Sequence, residues 1–225
     1  MAQRGGDDWQ RSCASVESPA RVTPTGLDPS AAYRHGENMS ERNPWFTGQL
    51  LLALPGMGDR RFEQAVIAMI NHDDEGAMGV GISKLLDGLT VGAVMDQLKI
   101  AHEDPLAIPV YYGGPVEPSR GFVLHSKDWA GADSVQVADR WMLSSSHDIL
   151  RAIAEGRGPS RYLVSLGYAG WAAGQLEDEL VHHGWHVTKT NDDIVYDARP
   201  DDKWHQAFSE AGIDTRLLTI KGGEA

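Results

Sequence analysis

Cysteine is nearly absent: Cys13 is the only one in 225 residues. A lone thiol cannot close a disulfide within the chain or furnish a thiolate zinc site, and its scarcity fits a reducing compartment. Long apolar runs are also missing. No stretch approaches the roughly 18 apolar residues of a membrane-spanning helix, and the N-terminus shows no apolar secretory segment. The expectation is a cytoplasmic protein without a membrane partner. Clustered positive charge is the third absence. Twenty Lys and Arg stand against 32 Asp and Glu, a net charge of −12. The cations from Lys84 to Lys221 are dispersed along the chain. An acidic chain without a basic stripe repels phosphate backbones, so direct nucleic-acid binding is not expected.

What is present divides unevenly. Residues 1–44 carry Gly, Ser, Pro and charges of both signs without apolar periodicity, and read as a disordered tail. Met39 within it is an alternative first residue. Residues 45–219 read as one domain, large enough to bury about 70% of its unfolded surface. Residues 220–225 read as a flexible C-terminus.

The pattern within the domain mixes strands and helices. LLALPG (51–56) reads as a strand stopped by Pro-Gly, and AVIAMINH (65–72) and GAMGVGIS (76–83) as two strands around an acidic turn. LTVGAVMDQLKI (89–100) has helical spacing, with Thr90 placed to cap it. PVYYGGPV (109–116) and GFVLHS (121–126) read as strands around a Gly-Gly-Pro corner. SVQVAD and WMLSS read as a further pair. In SSHDILRAIAEG (145–156), Ser145 and Asp148 resemble a capping box, and Gly156 is a natural stop. RYLVSLG (161–167) reads as a central strand, GYAGWAAG as the loop after it, and QLEDELVHH (175–183) as a helix. WHVTKT (185–190) reads as a strand with His186, Thr188 and Thr190 on one face. DDKWHQAFSEAGI (201–213) places Trp204, Ala207, Phe208 and Ala211 on one helical stripe. Without regular βαβ alternation, the class is α+β or mixed α/β, one domain around a mixed sheet.

The glycines 167, 170 and 174 match neither a dinucleotide fingerprint nor a P-loop. Glu177, Asp178 and Glu179 already answer the helix dipole and would repel a phosphate. A 100° rotation per residue puts Glu177 on the buried side, between Ala173 and Val181, and Asp178 and Glu179 outside. A buried carboxylate must be hydrogen-bonded, paired or protonated; it satisfies nearby amides, or it serves as a general base. His72-Asp73-Asp74-Glu75 reads as a solvated turn, because neighbouring strand residues point to opposite faces. His182, His183 and His186 read as surface histidines, not as a zinc site. The serines of 144–148 read as a helix cap. No metal and no cofactor is expected.

The strings LLALPGMGDRRFEQAVIAMINHDDEGAMGVGISK, YYGGPVEPSRGFVLHS and LVSLGYAGWAAGQLEDEL together resemble the YqgE/AlgH family of bacterial proteins. The likeness spans about residues 48–218. It implies an α+β fold with a mixed, strongly bent, partly barrel-like sheet surrounded by helices, in a cytosolic protein. The family has no established catalysis, and one branch is described as a regulator of transcription. Ser83 and Leu85 depart from the family's Asn and Pro, and Ala172-Ala173 from its Gly-Pro. The resemblance joins three glycine corners, PGM, GGPV and GYAGW, into one expected surface with a shallow pocket; the alternative is a purely structural cause, tight packing at sheet corners. Its candidate binding residues are Gly56, Gly113, Gly114, His125, Tyr168, Trp171, Gln175 and Glu177. The expected function is non-catalytic regulation or binding through a protein or small-molecule partner. The alternative is a hydrolase-like enzyme with Glu177 or His125 as general base.

Overall fold

The computed structural model describes residues 45–102, 106–182, 184–189 and 191–218; the readings on residues 1–44, including Cys13 and Met39, on His183 and Thr190, and on the C-terminus from 219 lie outside them. The described residues all fall in one compact unit. Ten strands run in chain order: β1 (Leu50–Ala53), β2 (Val66–Asp73), β3 (Gly76–Gly81), β4 (Leu85–Thr90), β5 (Pro109–Tyr112), β6 (Val116–His125), β7 (Val135–Val137), β8 (Trp141–Ser144), β9 (Tyr162–Ala172) and β10 (Trp185–Thr188). Five helices accompany them: α1 (Val91–Gln97), α2 (His147–Ala154), α3 (Gln175–Val181), α4 (Asp192–Tyr196) and α5 (Pro200–Glu210).

The sheet order is β10-β1-β2-β3-β9-β6-β8-β7, with β5 added to β9 and β4 to β5. Only the β5–β9 pair is parallel among the described ladders, so the sheet is mixed. It curls into a half-barrel. Arg140 Nη1 donates to the Gly48 carbonyl at 3.0 Å, tying the β7–β8 turn to the chain just before β1. The fold class is α+β, as the sequence and its family likeness led us to expect.

Strands without polar alternation are strands covered on both faces. In β1 and β2, Leu50, Leu52, Val66, Ala68 and Ile70 point into the half-barrel, where they meet Phe122, Trp141, Trp204 and Phe208. Their neighbours Leu51, Ala53, Ile67 and Met69 face outward onto Leu176, Trp171 and Trp185. A third cluster sets α1 and α2 against β5, β6 and β9 through Met95, Ile149, Val110, Val123 and Val164. Each large side chain buried this way contributes about 1.5–3 kcal/mol.

Two helix starts differ in an instructive way. Thr90 caps α1, its Oγ1 accepting from the Ala93 amide at 3.2 Å. The capping box expected at Ser145 and Asp148 does not form. Asp133, distant in sequence, accepts from the amides of Ser145 and Ser146 and from the Ser146 hydroxyl. Burial opposes its ionisation, but the Ser146 hydroxyl and the two amides outweigh burial and hold its pKa below the ordinary value.

The segment 167–172 is strand, not loop. β9 runs on through GYAGWA to Ala172, pairing with β3 from Ala169 to Ala172. β5 lies on one edge of β9, against Val164–Leu166, and β6 on the other, against Tyr162–Leu166. The chain between them must cross β9, and it crosses at Gly113-Gly114. A Cβ on Gly113 would lie 2.1 Å from the Gly167 carbonyl oxygen, and one on Gly114 would lie 2.1 Å from the Tyr168 carbonyl carbon. Only glycine permits that approach of backbone to backbone.

Candidate functional site

α3 is short, and Glu179 fixes its orientation. One oxygen of Glu179 accepts from two indoles, Trp171 Nε1 at 2.9 Å and Trp185 Nε1 at 2.7 Å. The other accepts from Gln175 Nε2 at 2.9 Å, and Gln175 in turn accepts from the Ala172 amide. Both indoles are buried, so their N–H groups need an acceptor there. This corrects the helix rotation expected from the sequence. Leu176 is buried and Glu179 turns inward, while Val181 is 72% exposed. Two polar groups from neighbouring strands, invisible to a periodicity argument, pull the helix round.

With Glu179 inside, Glu177 comes to the rim. Its side chain is 37% exposed, and its Oε1 lies 2.7 Å from Nε2 of His72, whose side chain is 1% exposed. The imidazole is held between rings: Phe46 stacks on it at 4.9 Å and Trp45 meets it edge-on at 5.0 Å. A register shift in β2 between Met69 and Asn71 makes the pair possible. Before the bulge, Ile67 and Met69 face α3; the extra residue changes the phase and brings His72 to that face. Asp73, Asp74 and Glu75 then form the turn, with Asp73 accepting from Asn71 and from the Glu75 amide.

The ordering of this dyad matters chemically. In a catalytic carboxylate–histidine pair the carboxylate sits behind and the imidazole faces the substrate. Here the imidazole is behind and the carboxylate faces solvent. The arrangement fixes a carboxylate on a surface, with Oε1 engaged by His72 and Oε2 left toward an incoming donor.

The structure gathers Trp171, Gln175 and Glu177 in this region and adds His72, Glu179, Trp185, Trp45 and Phe46. Gly56 lies in the turn after β1 with a left-handed φ of 86°; the next residue, Met57, packs with Leu180 and Trp185. The remaining candidates lie elsewhere. Gly113 and Gly114 are filled by the crossing with β9, and the crevice beside them, lined by Arg61, Ser83, Lys84 and Tyr112, has a volume of about 10 Å³, room for about one water. Tyr168 is buried within the half-barrel, edge-on to Phe122 at 6.0 Å, and burial raises its pKa.

His125 is fully buried in the wall. Its Nδ1–H donates to the Ser126 carbonyl and its Nε2 accepts from the Ser144 hydroxyl at 3.0 Å, which meets Ser134 at 2.7 Å. Burial lowers its pKa. Ser144 is therefore part of a buried relay, not of the helix cap. Ser83 fills a structural role as well, its hydroxyl accepting from the Val66 amide. His186 is not a plain surface group: it stacks on Phe208, and burial lowers its pKa. His72 and Glu179 gave no separable sequence signal, since the first depends on a bulge and the second on two indoles. Among the described residues, no group of three or more His, Cys, Asp or Glu could hold a metal ion, and no helix is long and apolar enough to cross a membrane.

Comparison with known proteins decides the family. A family model described as AlgH-like matches residues 50–216. The chain belongs to the AlgH-like family. A UPF0301 protein of Sphingopyxis alaskensis is 70% identical over 181 residues, covering 80% of this chain and 97% of that relative. A UPF0301 protein of Novosphingobium aromaticivorans is 48% identical, covering 83% of this chain and all of the relative. The solution structure of the AlgH protein from Pseudomonas aeruginosa superposes with a TM-score of 0.66 at 36% identity, over 85% of this chain and 100% of that one. A crystal structure of a Corynebacterium diphtheriae protein shares the fold, with a TM-score of 0.58 at 24% identity over 76% of this chain and 89% of that one. The AlgH-like match takes in the crossing at Gly113-Gly114, the dyad and the Glu179 clamp alike.

Proposed function

We propose that this AlgH-like chain is a non-catalytic binding protein of the cytoplasm that captures a protein partner on the face around Glu177. The carrying observation is the inverted dyad, a buried imidazole behind an exposed carboxylate. It supplies a positioned hydrogen-bond acceptor but no outward-facing base of the histidine type. Rigidity supports the reading, because the Glu179 clamp holds α3 before any partner arrives, and preorganisation reduces the entropy cost of binding. Any influence on transcription runs through that partner, since the net charge of −12 opposes contact with DNA.

The test is affinity capture from the native cytosol with parent and Glu177→Gln as baits. The reading expects at least one protein retained by the parent and lost by the variant. Identical retained sets would remove it. Substrate turnover by the parent that disappears in Glu177→Gln would favour the hydrolase reading instead. Retention of DNA in a low-salt gel shift would overturn the indirect route.

A further inference from the structure

We infer that the partner of the Glu177 face is an amphipathic peptide segment carrying arginine or lysine, with the cation seated between Glu177 and Trp45. The inference rests on the proposed function and specifies its ligand.

Two apolar groups flank the carboxylate. Trp45 is 44% exposed and Val181 72% exposed, both among the few large hydrophobic side chains left in solvent. Val181 lies four residues after Glu177 on α3, so the two share a helical face. Trp45 meets the same His72 ring that Glu177 engages, at 5.0 Å between ring centres. An aromatic and a fixed carboxylate therefore share one imidazole, and an aliphatic group stands one helical turn from the carboxylate. Tryptophan is among the residue types enriched in interface hot spots.

The surrounding charge selects the partner. Asp73, Asp74 and Glu75 form the adjoining β2–β3 turn, and Asp178 follows Glu177 on α3. None of these five carboxylates forms a salt bridge to Lys or Arg among the described residues. Elsewhere the protein often neutralises its acids: Arg61 pairs with Asp59, Arg140 with Asp192, Arg151 with Asp148 and Arg161 with Asp193. The Glu177 patch keeps its negative potential, which attracts and orients a cation. A guanidinium can donate to Oε2 of Glu177 while stacking on the Trp45 indole. Apolar side chains on the same peptide would cover Val181. A second copy of this chain would set like charges against each other, and anionic lipid would be repelled.

The experiment uses the full chain and fluorescence anisotropy of a labelled 12-residue synthetic peptide with leucine on one helical face and arginine on the other. Two controls replace every arginine by glutamate, or every leucine by serine. We expect the Leu/Arg peptide to bind. Glu177→Gln and Trp45→Ala should each weaken it about tenfold, and Val181→Asp about as much, while exposed, remote Asp201→Asn leaves it unchanged. The glutamate peptide should not bind, and the Ser/Arg peptide should bind less tightly than the parent peptide. Equal affinities for parent, Glu177→Gln and Trp45→Ala would overturn the inference. So would an equal loss in Asp201→Asn, which means unspecific attraction, or dimerisation abolished by Trp45→Ala, which means a second copy is the occupant. Unfolding midpoints of the variants, all at exposed or half-exposed positions, separate lost binding from lost folding; if Trp45→Ala unfolds, Val181→Asp and Glu177→Gln decide. A Glu177-dependent partner in affinity capture, combined with failure here, would leave the proposed function standing and remove only the cationic peptide.

Discussion

Gly167 and Gly114 meet backbone to backbone. A methyl group on Gly167 would lie 2.4 Å from the Gly114 carbonyl oxygen, and Gly167 has a φ of 73°. The two residues let the β5–β6 connection pass across the central strand with nothing between. The family's GGPV and GYAGW strings are thus halves of one crossing, and the room that glycine leaves is already occupied.

Gly167→Ala is accordingly expected to be severe. It combines left-handed strain with a clash against backbone that cannot rotate away, and we expect a loss of about 3 kcal/mol or more. Gly156 has a similar φ of 67° but open space around it. Gly156→Ala should cost only about 1 kcal/mol. Urea unfolding of both variants measures the difference; equal losses would show that the crossing is not tight.

Glu179 offers a second test. Glu179→Ala leaves two buried indole N–H groups without an acceptor, and we expect a loss of about 2–4 kcal/mol. Glu179→Gln keeps one oxygen that both indoles can share, so its loss should be smaller. Urea midpoints, together with a change in tryptophan emission from Trp171 and Trp185, check the order. A silent Glu179→Ala would mean that the carboxylate does not hold α3.

Lys203 makes stability depend on pH. Its side chain is fully buried, donating to the Val195 carbonyl at 2.5 Å with Nζ 4.8 Å from the centre of the Tyr111 ring. Burial brings its pKa down to about 7, against a smaller upward pull from Asp197. The unfolded lysine titrates near its ordinary value of about 10.4. Between these values the unfolded chain binds more protons than the folded one, so this group's contribution to stability rises with pH. Below pH 7 its full penalty is present. The slope is at most about 1.4 kcal/mol per pH unit. Lys203→Met should flatten the rise between pH 7 and 9 relative to the parent, and denaturant titrations at several pH values read it directly. Parallel curves for the two proteins would contradict a neutralised lysine.

Local patterning was legible because it depends on near neighbours. The apolar runs of β1, β2 and β9, the Thr90 cap, and the Trp204–Ala207–Phe208 stripe of α5 are written in residues a few positions apart. The acidic net charge likewise needed no coordinates. Tertiary structure alone decided that β9 continues through GYAGWA, because the strand is completed by hydrogen bonds from β3, roughly 90 positions earlier in the chain. It alone decided the rotation of α3, since a helix of two turns has too little apolar stripe to resist Glu179 and its two indoles. The His72–Glu177 pair joins residues 105 positions apart and depends on a single bulge. Periodicity fixes which residues can share a face; which face meets which is set by backbone crossings and polar contacts between segments that no local window contains.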